Sequence, residues 1–195
     1  MPGAEGREAA CHSGRMTESQ HTAHTSQLGP DGLPRIRELL DTAFGGDFSD
    51  EDWDHGLGGV HSFLDDEKGL AAHGSVIMRR VLHGGRSYRV GYVEAVAVRE
   101  DRRRQGLGGR VMAALEHVID EAYEFGALSA SDEGAELYRA RGWQVWPGRI
   151  EVLSPAGVVR LAEEEGTTYV RPAAGGRLPD PARPLVFDWR DGDVL

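Results

Sequence analysis

The chain has 195 residues, 39 % of them hydrophobic and 28 % charged, and a formal net charge of −10. That length suits one domain that buries its own core. The acidic balance argues against nucleic acid as a partner, and no apolar run approaches the ~18 residues that would cross a membrane.

Residues 1–26 are rich in Gly, Ala, Ser, Thr and His and carry no apolar period, so they read as a flexible leader, with one domain over residues 27–195. Cys11, the only cysteine, lies in that leader, so no disulfide forms within the chain. With no apolar signal segment in view, cytoplasmic residence is expected. His12, His21 and His24 fit no compact ligand spacing, and no metal is expected.

From Leu28 a helix is predicted, with Pro34 in its first turn and Ile36, Leu39, Leu40 and Ala43 on one face, ended by Gly45-Gly46. Ser49 caps a short second helix whose first turn holds Asp50, Glu51 and Asp52, where the helix dipole favours negative charge. Asp47 sits in the polar link between the two. Three strands follow, Val60–Leu64, Leu70–Leu82 and Tyr88–Val98, joined by turn-rich segments that predict two hairpins.

An Arg/Gly turn then leads into a helix with Leu107, Val111, Ala114, Leu115, Val118 and Ala122 on one stripe, stopped by Gly126. Ala127–Ala130 reads as a short strand. Ser131 or Asp132 caps a helix over Glu133–Ala140, and Trp143–Trp146 begins another strand. Strand-like pieces follow at Ile150–Leu153, Thr168–Val170 and Leu185–Trp189. This order predicts a mixed α/β sheet, antiparallel first and then gaining strands through helical crossovers.

Chemistry concentrates in residues 91–109. The strand Val90–Val98 is apolar on both parities and carries one charge, Glu94, and a strand of that kind is buried on both faces. A carboxylate there needs a partner or a cavity. It is either a base placed to take a proton from an amine, directly or through water, or a structural acid paired with an arginine such as Arg79 or Arg80. The adjoining turn, Arg103-Arg104-Gln105-Gly106-Leu107-Gly108, puts two glycines around a helix start. Its N–H groups and Arg102, Arg103 and Arg104 suit an anionic ligand, although a plain helix-opening loop reads the same way. No Gly-Lys-Ser/Thr follows, and the spacing is not that of a dinucleotide fingerprint.

Arg103-x-x-Gly106-x-Gly108 resembles the acetyl-CoA signature of the GCN5-related N-acetyltransferases, and Ala135-x-Leu137-Tyr138-x-x-Arg141-Gly142-Trp143 is similar to that superfamily's second recognisable segment. The blocks Gly46-Asp47-Phe48-Ser49-x-x-Asp52-Trp53, Gly58-Gly59, Gly91-Tyr92-Val93-Glu94, Gly126-Ala127-Leu128-Ser129 and Asp188–Val194 resemble, in order, the aminoglycoside 2′-N-acetyltransferases of actinobacteria. The resemblance implies the superfamily's mixed, mostly antiparallel sheet, with helices on both faces and a strand bulge near Ala95–Ala97. The implied cofactor is acetyl-CoA. The implied partner is an aminoglycoside or another polycationic amine, and the implied assembly is a homodimer that confers drug resistance.

Roles follow residue by residue. Glu94 would be the base and Tyr138 would protonate the leaving thiolate. Asp47, Glu94, Ala95, Asp193, the terminal carboxylate and Glu164 would face the acceptor, and so would Leu195, which stands where relatives can carry tryptophan. Val96, Ala97, Val98, Arg103, Arg104, Gln105, Gly106, Leu107, Gly108 and Ser129 would hold coenzyme A, with the Val96 N–H polarising the thioester carbonyl. No Cys or Ser nucleophile stands near the motif, which favours direct transfer in a ternary complex.

Taken singly, Asp47 also reads as a helix cap, Tyr138 as core, and Asp191, Asp193 and Glu163–Glu165 as solvated acids. A polyamine or a cell-wall amino sugar as acceptor stays open, and so does a non-catalytic acyl-CoA-binding module.

Overall fold

The computed structural model describes residues 18–195. Cys11 and His12, with most of the expected leader, lie outside the described residues. The leader's last stretch is structured. Ser19–His24 forms β1, antiparallel to β2 (Val60–Asp66), and Glu18 joins Arg102 and Arg110 in ion pairs. Nearly every side chain of β1 is exposed, so backbone pairing and surface charge hold it and no apolar period marks it in the sequence.

The helix α1 (Gly29–Ala43) begins earlier than expected. Pro30 takes the first-turn position and Pro34 falls inside the helix, while the predicted face holds, with Ile36, Leu39 and Leu40 buried. Ser49 caps α2 (Asp50–His55) in a reciprocal pair of bonds with Asp52, which leaves Asp47 free of a capping role there.

Long strands β3 (Gly69–His83) and β4 (Arg86–Val98) form the central hairpin. The first half of β3 pairs with β2, and its far end pairs with β10 (Leu185–Asp188). Beyond β10 come β7 (Ile150–Ser154) and β8 (Gly157–Arg160), a strand that sequence reading missed because all four of its residues are exposed. On the other side β4 runs parallel to β5 (Phe125–Ser129), which pairs with β9 (Thr168–Pro172) and then β6 (Gln144–Val145).

The helix α3 (Leu107–Ala122) covers one face of the sheet. Its buried stripe is Leu107, Val111, Met112, Leu115 and Ile119, so Met112 and Ile119 replace the expected Ala122, which is exposed. Gly126 does not stop α3; it lies in β5, where a Cβ would sit 2.7 Å from the Trp143 ring. Glycine is needed there for the close approach of the indole, not for a cap. The helix α4 (Asp132–Ala140), capped by Ser131, is tied back to α3 by Glu116. That buried carboxylate accepts from Arg141 Nε and Trp143 Nε1, each at 2.9 Å. On the opposite face Ile36 and Leu40 of α1 pack against Ala97.

Two histidines are buried between β2 and β3. His73 Nδ1 lies 3.2 Å from the Ala95 carbonyl, which only accepts, so this nitrogen carries the proton. His61 Nδ1 then donates to His73 Nε2 (3.0 Å), and Thr25 Oγ1 lies 2.8 Å from His61 Nε2. Burial pulls the His61 imidazole down to about 4 and His73 to about 3. Both stay neutral when folded, whereas the unfolded chain takes up their protons as pH falls below 6.5. Stability is therefore full above pH 6.5 and falls by up to about 1.4 kcal/mol per histidine for each pH unit below it. Urea midpoints between pH 7.5 and 5 should show that slope, and His61→Gln should flatten it.

Candidate active site

β4 and β5 pair only over Val90–Tyr92 and Phe125–Ala127. Past Tyr92 they part, and a bulge drives β4 outward, where the register with β3 skips between Glu94 and Ala97. Ala95 holds φ at 51°, the left-handed region, which costs an alanine about 1 kcal/mol. The opening between the strands widens into a cleft of about 770 Å³.

One end of the cleft is built for an anion. Gly106, at φ 81°, caps α3 without any side-chain bond to the first turn, so the leading N–H groups of a 16-residue helix point outward. Gly108 and Arg103 line this end beside Val96, Ala97 and Val98. A Cβ on Gly108 would stand 3.3 Å from Leu137, so the backbone is what the cleft meets here. Arg104 is exposed with φ at 59°. The Gln105 amide donates to the Asp101 carbonyl and accepts from Arg102, and the Leu107 side chain is core. Arg102 differs from the expectation. It is buried against Asp66 and Glu18, and its charge is spent on folding.

The other end is acidic. Asp47 and Asp52 enter from the α1–α2 link and α2, Asp193 from the C-terminal tail, and Glu94 from β4. The Glu94 side chain is 14 % exposed. Burial pushes its carboxyl above the usual range, and Arg190 opposes that shift by hydrogen-bonding it. Neither Arg79 nor Arg80 pairs with Glu94. Arg79, 2 % exposed, has its guanidinium over the Tyr92 ring and donates to the Asp188 carboxylate (2.8 Å), the Asp188 carbonyl (2.6 Å) and the Val194 carbonyl (2.6 Å). Arg190 Nε donates to the same Val194 carbonyl at 2.9 Å. Two arginines thus fold the tail into the cleft wall, and Leu195 is buried there.

Tyr138 lines the cleft and is 8 % exposed, packed on Trp143 and Tyr169. Burial pushes its phenol up to about 12, so it is protonated at neutral pH. Ser129 lines the cleft and donates to Glu164, which also accepts from Thr167; Glu164 itself lies behind the wall. Sequence reading missed Tyr92, His55 and Arg190 as lining residues. The buried Tyr92 hydroxyl has no hydrogen-bond partner among the described residues.

Residues 24–146 match the acetyltransferase (GNAT) domain family. The chain belongs to the GNAT acetyltransferases. It is 48 % identical over 179 residues to an aminoglycoside 2′-N-acetyltransferase of Mycolicibacterium fortuitum, an alignment spanning 89 % of this chain and 92 % of that one. Its fold is that of a GNAT family N-acetyltransferase from Escherichia coli solved with CoA (TM-score 0.61, 17 % identity, 96 % and 94 % of the two chains). A Brucella melitensis GNAT acetyltransferase solved with acetyl-CoA is also similar (TM-score 0.55, 15 % identity, 85 % and 94 %). Like those GNAT folds, the chain has a mixed sheet with helices on both faces.

Among the described residues no three His, Cys, Asp or Glu side chains gather into a metal site, and no helix is long and apolar enough to cross a membrane.

Proposed function

We propose that this acetyltransferase moves the acetyl group of acetyl-CoA onto the 2′-amine of an aminoglycoside, by direct attack in a ternary complex. One observation carries the reading. A buried glutamate opens onto a cleft that is acidic at one end and presents uncapped helix N–H groups at the other. The kinship to the Mycolicibacterium fortuitum enzyme supplies the acceptor class.

The helix α3 N-terminus and Arg103 suit a pyrophosphate, and the backbone of Val96–Val98, freed from β5, suits a pantetheine arm. Acetyl-CoA, when bound, supplies the activated acetyl thioester. Asp47 and Asp193 hold the acceptor's ammonium groups, which also favours their charged form. The reacting amine must instead lose a proton, and Glu94 takes it, directly or through water. A C–N bond forms as the C–S bond breaks, and Tyr138 returns a proton to the thiolate.

Arg190 tunes this base. Without its positive charge only Arg79 still opposes the effect of burial on Glu94, so Arg190→Gln should move the acidic limb of the kcat/KM profile to higher pH. An unmoved limb would show that the limb belongs to another group.

Regiochemistry decides the acceptor. Kanamycin B carries a 2′-amine and kanamycin A a 2′-hydroxyl, and the two otherwise match. Purified protein should add one acetyl group to kanamycin B, located at the 2′-nitrogen by NMR, and leave kanamycin A unchanged. Equal turnover of both would refute the assignment.

A further inference from the structure

The family resemblance implies the Val96 N–H as the donor to the thioester carbonyl and leaves open what holds that donor in place. β3 does not, because Ala95 and Val96 fall in the register skip and have no partner residue across the hairpin. Ala95 also sits in a backbone region that alanine seldom adopts, so its flanking peptide needs an outside hold. The contact that reaches this peptide from the core is the one from His73 Nδ1 to the Ala95 carbonyl.

We propose that His73 is a positioning residue for acyl transfer: its imidazole holds the Ala95 carbonyl and so aims the Val96 N–H into the cleft. This rests on the function proposed above. The step is geometric. The Ala95–Val96 peptide is trans, so its C=O and N–H point in opposite directions. Fixing the oxygen from the core side fixes the hydrogen on the other side. Ala95 and Val96 line the cleft and His73 does not, so the ring grips from behind the wall.

The ring is itself held. His61 donates to it, Thr25 Oγ1 stands against His61, and the Thr25 backbone N–H is anchored on the Gly59 carbonyl at 3.0 Å. Both imidazoles are 1 % exposed. Apolar side chains would fill this space without the cost of burying ring nitrogens. What imidazole adds is a donor fixed in direction, ending on the bulge.

The test reads the carbonyl directly. Infrared spectra of bound acetyl-CoA labelled with ¹³C at the carbonyl should show the stretch lowered below its solution value in the wild-type protein. His73→Leu, similar in bulk but without a donor, should return it toward the solution value. The same variant should lower kcat for kanamycin B by roughly 10- to 100-fold. The Kd of CoA, which has no acyl carbonyl, should stay within about twofold, since its grip lies in the α3 turn. His73→Asn keeps an N–H at the δ position and should restore most of both signals. If His73→Leu keeps the lowered stretch and the wild-type kcat, His73 is core only and the Val96 reading stands. If the wild-type stretch is not lowered, the Val96 reading fails and takes this proposal with it. Should His73→Leu fail to fold, ¹⁵N imidazole shifts of the wild-type protein decide. They should report His73 protonated at Nδ1 and bare at Nε2 from pH 6 to 8, and the opposite tautomer would overturn the proposal.

Discussion

Glu94→Gln should lower kcat with kanamycin B by about 10²- to 10⁴-fold, the range that general-base catalysis contributes. The amide keeps the volume of the carboxylate and can still meet Arg190, so the cleft should keep its shape. It offers no basic oxygen, so the amine's proton has no acceptor. CoA affinity by calorimetry should be unchanged, since the anion end of the cleft is built from the α3 turn and Arg103. A parallel loss of CoA binding would mean that Glu94 shapes the whole cleft and does not act as its base.

The second large effect is structural and reaches function through the tail. Arg79→Met should cost about 3 kcal/mol in urea unfolding, near the low end for breaking a buried ion pair, because Asp188 is itself 47 % exposed. The loss leaves the Asp188 carbonyl without its arginine donor and the Val194 carbonyl held by Arg190 alone. Asp193 and Arg190 line the acceptor end, so the KM for kanamycin B should rise more than the KM for acetyl-CoA. Arg80→Met, one residue along on the exposed face of β3, should change neither. Equal effects from the two variants would remove Arg79 from the account of the tail.

What the sequence revealed followed from local pattern. α3 has a strong helical period, and the central hairpin shows as long apolar runs parted by a turn-rich segment. Glu94 stood out as the one charge in an apolar strand, and Ser49 announced its helix by the acids after it. The failures have physical reasons too. β1 and β8 are held by backbone pairing and show almost no buried face, so periodicity is silent there. Arg102, Arg103 and Arg104 look alike in sequence, and only the fold decides that the first turns inward to Asp66 while the second faces the cleft. The partner of Glu94 lies 96 residues away, so Arg190 could not be chosen over Arg79. The left-handed turn at Ala95 was hidden because alanine, unlike glycine, does not advertise it. The coenzyme and acceptor roles came from resemblance alone, since a helix N-terminus and a few acids are common in proteins of many kinds.

The short β4–β5 ladder has a mechanical consequence. Among the described strands, three residue pairs, extended by the bonds between Arg89 and Glu124 just ahead of them, join the β5–β9–β6 wing to the rest of the sheet. A molecule lodged in the gap and bonding to the Val96–Val98 backbone would act as a missing splice between two plates. Deuterium uptake should therefore slow on both plates together when acetyl-CoA is added, β9 included, although no atom of β9 lines the gap.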